Sequence, residues 1–259
     1  MQGLLRNPLA DGSTLGISSG AALGAALAIL FGVTIPGLPL AGTMGVAMLA
    51  AFLSLLLILA LSWGLDHTLA TNSIILIGVI FSMFVSALMS VLITFSGEKL
   101  RSITFWTMGS AAAANLSNAG ILLGSFLLCG GVLLSQCRAL DAFAMGEAQA
   151  QHIGVPVKAV KLTVMIAVSV LIGVCVSVCG CIGFVGLVTP HMVRMLSGPS
   201  HRQVMVRSIF GGAIFLMLCD LVARTVVSPL ELPIGVVTSL IGAVVFVVIF
   251  YRSRKAGRT

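Results

Sequence analysis

"SIILIGVIFSMFVSALMSVLITF", residues 73–95, contains no charged side chain, no proline and a single glycine. About twenty apolar residues are enough for a helix to cross the hydrocarbon core of a bilayer, so this stretch reads as a membrane span. Runs of the same kind recur at 14–32, 43–63, 116–136, 159–180, 208–227 and 234–251. An eighth, shorter run, "CIGFVGLVTPHMVRML" (181–196), carries Pro190, which is expected to bend or end its helix. Eight spans put both termini on one side of the membrane.

Composition agrees with this reading. Of the 259 residues, 59% are hydrophobic and only 8% charged, and the mean hydropathy is +1.18. So few charges cannot cover a soluble globule of this length. Aromatics make up 6%, whereas glycine alone contributes 29 residues and alanine and serine are plentiful. That balance suits helices packed closely through small side chains, not the alternating strands of a barrel. The expected fold is an all-α, polytopic membrane helix bundle of about eight transmembrane helices, forming one transmembrane domain over residues 1–259.

The net charge of +7 does not indicate a nucleic-acid surface, because the basic residues are scattered through short loops without a stripe or patch. They read instead as topology. With the termini inside, the inner loops hold Arg6, Arg138, Lys158, Lys161, Arg194, Arg202, Arg207, Arg252, Arg254, Lys255 and Arg258. The outer loops hold only Lys99, Arg101 and Arg224. This positive-inside asymmetry places both termini in the cytoplasm. The six cysteines, Cys129, Cys137, Cys175, Cys179, Cys181 and Cys219, lie mostly within apolar runs and read as small hydrophobes, with no metal site implied.

The first twenty residues, "MQGLLRNPLADGSTLGISSG", lack the basic-then-apolar pattern of a signal peptide and open with Asn-Pro and Asp-Gly turn signals. A membrane protein that begins within a loop is expected to be a truncated form.

Four loop or boundary segments stand out. The inner loop "CRALDAFAMGEAQAQHIGVPVKAVK" (137–161) is amphipathic; Gly146, Ala148, Ala150 and Gly154 would let a short helix lie in another protein's groove, with Glu147, Gln149 and His152 facing water or that partner. A solvated connector is the alternative reading. In the outer loop 96–114, Trp106 precedes Gly109 and Ser110, which fits either an interfacial anchor or a short re-entrant helix beside a pathway. Asp220 and Arg224 are four apart on one helix and can pair, either as a purely structural ion pair or to present a cation near the outer surface. Glu231 stands between Pro229 and Pro233 before the last span, where a helix start is the simplest reading.

No Walker-type loop, Ser-His-Asp set, His-Glu-x-x-His or Cys-x-x-Cys arrangement occurs. The chain is therefore expected to be no enzyme and to bind no cofactor, and energy for active transport would have to come from a partner or an ion gradient.

The blocks "RNPLADGSTLGISSGAALGA" (6–25), "FWTMGS" (105–110), "MGEAQAQHIGV" (145–155), "GCIGFVGLVTPHMVRMLSGPSHR" (180–202) and "LVARTVVSPLELPIGVVTSLIGAVVF" (221–246) resemble, in order, the permease subunits of the FecCD-like type II ABC importers for ferric siderophores, haem and vitamin B12. The resemblance implies a ten-helix permease fold in a bacterial inner membrane, paired with a second permease subunit as a homo- or heterodimer around a central path. It implies ATPase subunits, using ATP and magnesium, on the cytoplasmic face, and a periplasmic or lipid-anchored substrate-binding protein outside. Membrane lipid is a further partner, and nucleic acid is not.

Residue by residue, it implies ATPase coupling through Gly146, Glu147, Ala148 and Gly154. Docking of the binding protein falls to Arg224 and Glu231, and the translocation pathway to Trp106, Gly109 and Ser110. Asn7, Pro8, Gly183, Phe184, Gly186 and Pro190 belong to its architectural signature, as do His191, Arg194, Asp220, Pro233 and Gly235. Gly183 and Gly186 are expected to be close-packing points. His191 and Arg194 are expected at the cytoplasmic interface, with water, carbonyls, headgroups or ATPase-facing loops as partners.

The chain departs from the family's pattern in lacking the first helix and most of the second, and in having Gly12, Cys181 and Val244 where proline is usual; Gly12 is expected to loosen the first loop. The expected function is import of a ferric siderophore or related chelate. An ion-coupled carrier is the rival from another class, and a non-transporting fragment a third reading; the carrier would need a free titratable group in the membrane, whereas Asp220 has Arg224 at hand.

Overall fold

In a bilayer each backbone amide must find its partner within its own segment, which leaves a run such as 73–95 no option but helix. The computed structural model describes residues 1–12, 14–34, 39–67, 69–112 and 114–256, with eleven α-helices and no strand among them. They are α1 (Ile17–Phe31), α2 (Pro39–Leu65), α3 (Thr71–Phe95), α4 (Leu100–Met108), α5 (Leu116–Ser135), α6 (Cys137–Phe143), α7 (Glu147–His152), α8 (Val157–Cys179), α9 (Val185–Ser197), α10 (His201–Thr225) and α11 (Ile234–Ala256).

All eight apolar runs appear as helices. Helices α2, α3, α5, α8 and α10 are long and apolar enough to cross a membrane, while α1 and the apolar part of α11 are shorter; α9 has 13 residues. Arg258 of the expected inner set lies outside the described residues.

The described residues among 1–16 fold mostly as turns. Asn7 Oδ1 accepts from the Leu9 amide at 2.9 Å, and the Thr14 amide donates to Asp11 Oδ1 at 3.2 Å. Such Asx geometry is how Asn and Asp compete with helix. The segment is nonetheless core, because Leu4, Leu5, Ala10 and Leu15 are all at most 3% exposed. Gly12 does not loosen it; a Cβ there would stand 2.7 Å from Ile172 Cδ1, so the missing side chain lets this segment close on α8.

Small residues set the helix spacing. A Cβ on Gly20 or Gly24 of α1 would come within 2.5 Å of Ser54 Oγ or Ala50 Cβ of α2, so the two backbones approach closely. The N-terminal segment, α6, α7, the start of α8 and the C-terminal part of α9 gather at one end, hereafter the basal end. α4, the 180–184 loop and the 226–233 connection gather towards the opposite, distal end.

Pro190, expected to bend or end its helix, does not end it: α9 runs on to Ser197. Gly186 is not a packing point, since a Cβ there would meet nothing within 4 Å, and one on Gly183 would meet only Ser239 Oγ at 3.7 Å. Close approaches around this segment are made by Gly109, Gly180, Gly235 and Gly242 instead.

Candidate functional site

At the basal end, Gly146 and Gly154 bracket α7 with φ of 119° and 89°, conformations that a Cβ would strain. Their requirement is therefore the backbone of the helix ends. Gly146 and Ala150 are buried against the chain's own core, whereas Ala148, Gln149, His152 and Gly154 are exposed. Met145 and Ile153 add two apolar side chains to that surface, at 60% and 62% exposure.

Glu147 differs from its expectation. Its carboxylate, on a side chain that stays 33% exposed, turns towards the bundle, where Oε1 accepts from Thr71 Oγ1 at 2.7 Å and Oε2 accepts from Lys161 Nζ at 2.7 Å. Lys161 also donates to the Leu69 carbonyl at 2.9 Å and is 1% exposed. It is an internal cation of α8 rather than a solvated loop charge. The signal was its place among Val160, Val164 and Met165 on the buried face of α8, since a lysine on such a stripe needs a nearby carboxylate. A cavity of about 540 Å³, lined by Leu5, Arg6, Ala70, Thr71, Asn72 and Glu147, opens beside this group.

A second link, absent from the sequence reading, joins α6 to α10. Asp141 Oδ1 accepts from the His201 amide at 2.9 Å and lies 2.6 Å from His201 Nδ1, so a carboxylate from α6 caps the first turn of α10. Arg194 Nη1 donates to Gln2 Oε1 at 3.4 Å, directing the guanidinium at the opening segment rather than at headgroups. His191 Nε2 is buried with no hydrogen-bond partner, and its ring packs on Phe246 at 5.9 Å between centroids. No protein group of the described residues hydrogen-bonds that nitrogen.

At the distal end, α4 is a nine-residue helix that does not cross. The Ser110 amide donates to the Cys179 carbonyl at 2.8 Å. A Cβ on Gly109 would sit 2.7 Å from the Cys181 carbonyl oxygen, and one on Gly235 the same distance from that oxygen, while Gly180 closes on the Trp106 carbonyl. Three segments, 105–110, 179–181 and 234–235, thus meet through bare backbone. Trp106 packs partly buried against the main core.

Beyond this junction Asp220 Oδ2 accepts from Arg224 Nε at 2.8 Å, and Arg224 Nη1 stands 3.9 Å from Glu231 Oε1. The three form one half-exposed cluster, with Glu231 brought in by the Leu232 amide, which donates to the Ala223 carbonyl at 3.0 Å. Pro233 immediately precedes α11, and its carbonyl accepts from the Val236 amide at 3.1 Å. Among the described residues no group of three or more His, Cys, Asp or Glu side chains is placed to hold a metal.

Five helices long and apolar enough to cross a membrane, among the described residues, give the form of a multi-pass membrane protein. The chain belongs to the FecCD transport family, matching it over residues 1–252. It is 40% identical over 258 residues to the uncharacterized ABC transporter permease protein YvrB of Bacillus subtilis, covering 100% of this chain and 73% of that one. It is 38% identical to the hemin transport system permease protein HmuU of Yersinia pestis, covering 98% of this chain and 76% of the relative. A solved transporter assigned to the metal-chelate ABC type, in an inward-facing conformation, superposes with a TM-score of 0.89 at 37% identity. That match covers 97% of this chain and 79% of the other. The protein is a multi-pass ABC importer permease, and as such is not itself an enzyme.

Proposed function

We propose that this chain carries a metal chelate of the ferric siderophore or haem class into the cytoplasm, driven by ATP hydrolysed on separate subunits that dock on α7. The observation that carries the reading is α7 itself: a short helix with Ala148, Gln149, His152 and Ile153 exposed on one side and Glu147 anchored into the bundle on the other. A surface of small and apolar residues held from behind suits a groove on a partner that pushes. The basal end would face the cytoplasm, where Arg6, Arg138, Lys158 and Arg202 meet the positive-inside rule. Both termini would then be cytoplasmic, in the inner membrane. A second permease subunit would complete the path, and a substrate-binding protein would dock at Arg224 and Glu231. The 2.8 Å pairing of Asp220 with Arg224 favours this over an ion-coupled carrier, which needs a carboxylate free to titrate.

The test is co-purification. Ala148→Trp places a bulky ring on the exposed side of α7 and should abolish recovery of the ATPase with the permease, while the variant itself folds and inserts normally. Retention of the ATPase at wild-type stoichiometry would sink the docking assignment.

A further inference from the structure

The covalent links from α7 to the membrane helices lead back to α6 and on to α8. Glu147 adds a third link, non-covalent and directed at a helix 76 residues earlier in the sequence. Its two oxygens are divided between Thr71 Oγ1, on the first residue of α3, and Lys161 Nζ, on α8, each at 2.7 Å. The lysine in turn holds the Leu69 carbonyl at 2.9 Å, just before α3. Leu69 sits at φ 53°, a conformation unfavourable for a leucine that its surroundings must impose. Charge-assisted hydrogen bonds are directional, unlike apolar contacts, over which helices can slide.

From Thr71 the 25 residues of α3 run uninterrupted for roughly 37 Å. They continue through the turn Gly97–Lys99 into α4. The C-terminal end of α4 is the junction where Gly109, Gly180 and Gly235 bring three segments into backbone contact. A push on α7 thus has a continuous stiff route to the distal end.

We propose that Thr71, Glu147 and Lys161 form a transmission linkage that delivers movement of α7 to the base of α3. Thr71 and Lys161 are positioning residues in this linkage, which rests on the reading of α7 as the ATPase dock. Lys161→Met is the obvious variant, but it strips the partner from Glu147 and frees the Leu69 carbonyl, so misfolding could mask its effect. Thr71→Val removes one hydroxyl and leaves the ion pair intact.

The readout is amide hydrogen exchange in the permease–ATPase complex, over Ile74–Gly78 of α3 and over α7, with and without ATP and vanadate. In the wild type both segments change with nucleotide. In Thr71→Val the change in α7 persists, while that in α3 falls at least about tenfold, the equivalent of one lost charge-assisted hydrogen bond; Thr71→Ser restores it. A merely structural hydroxyl would alter exchange equally with and without nucleotide. The linkage is overturned if Thr71→Val keeps the wild-type response in α3, or if Thr71→Ser behaves like the valine variant. If Ala148→Trp still binds the ATPase, the dock falls and the linkage with it. If Ala148→Trp loses the ATPase while Thr71→Val responds as wild type, the linkage alone falls.

Discussion

Lys161 shows how one buried charge organises its surroundings. With 1% exposure against 33% for the Glu147 side chain, the two partners are not equivalent. Removing the carboxylate strands a cation with only the Leu69 carbonyl for company, whereas removing the cation leaves a carboxylate that water can reach. Glu147→Leu should therefore destabilise the purified chain by about 3 kcal/mol, and Lys161→Met by less, because an uncompensated buried charge is the dominant penalty. The double variant should recover most of the loss, as an apolar pair often does. Thermal unfolding in detergent checks the order; equal losses from the two single variants would contradict it. Both residues were visible in the sequence, but Glu147 read as facing water or a partner and Lys161 as a loop charge, because spacing along a loop says nothing of which way a carboxylate turns.

At the scale of elements, the helices were legible and their close approaches were not. The apolar runs place α3, α5 and α8 to within two residues and α2 and α10 to within four and seven, since hydropathy over about twenty residues is what the bilayer selects. Glycine is ambiguous by contrast, for it occurs both where backbones meet and where nothing does. Gly235 and Gly186 are opposite cases. Gly235→Ala drives a Cβ against the Met108 and Cys181 carbonyls and should cost about 1–3 kcal/mol, the usual penalty of overpacking. Gly186→Ala meets open space and should stabilise α9 by up to about 1 kcal/mol through helix propensity. Melting temperatures moving in the same direction for both would show that the distal junction is looser than described. Cys181 belongs to this junction and packs against the main core.

At the scale of the whole molecule, charge is segregated by end. The distal cluster of Asp220, Arg224 and Glu231 balances one cation between two carboxylates at 2.8 and 3.9 Å, so Arg224 is oriented yet remains 43% exposed. Arg224→Glu would gather three carboxylates there. Affinity for the substrate-binding protein, measured by surface binding at low salt, should fall at least about tenfold, with part of the difference vanishing at high salt because exposed charges are screened. Unchanged affinity would remove Arg224 from the docking surface.

The membrane class, the order of the eight apolar helices and the family were determined along the chain, because hydropathy, loop charge and ordered motifs are sums over neighbours in sequence. Tertiary structure alone decided that Glu147 faces inward to Thr71 and Lys161, that Arg194 turns to Gln2, and that Gly109, Gly180 and Gly235 carry the tight contacts assigned to Gly183 and Gly186. Each depends on which distant segments meet. A buried charge or a bare backbone takes whatever partner the packing brings within about 3 Å, and that distance is not written in the spacing of residues.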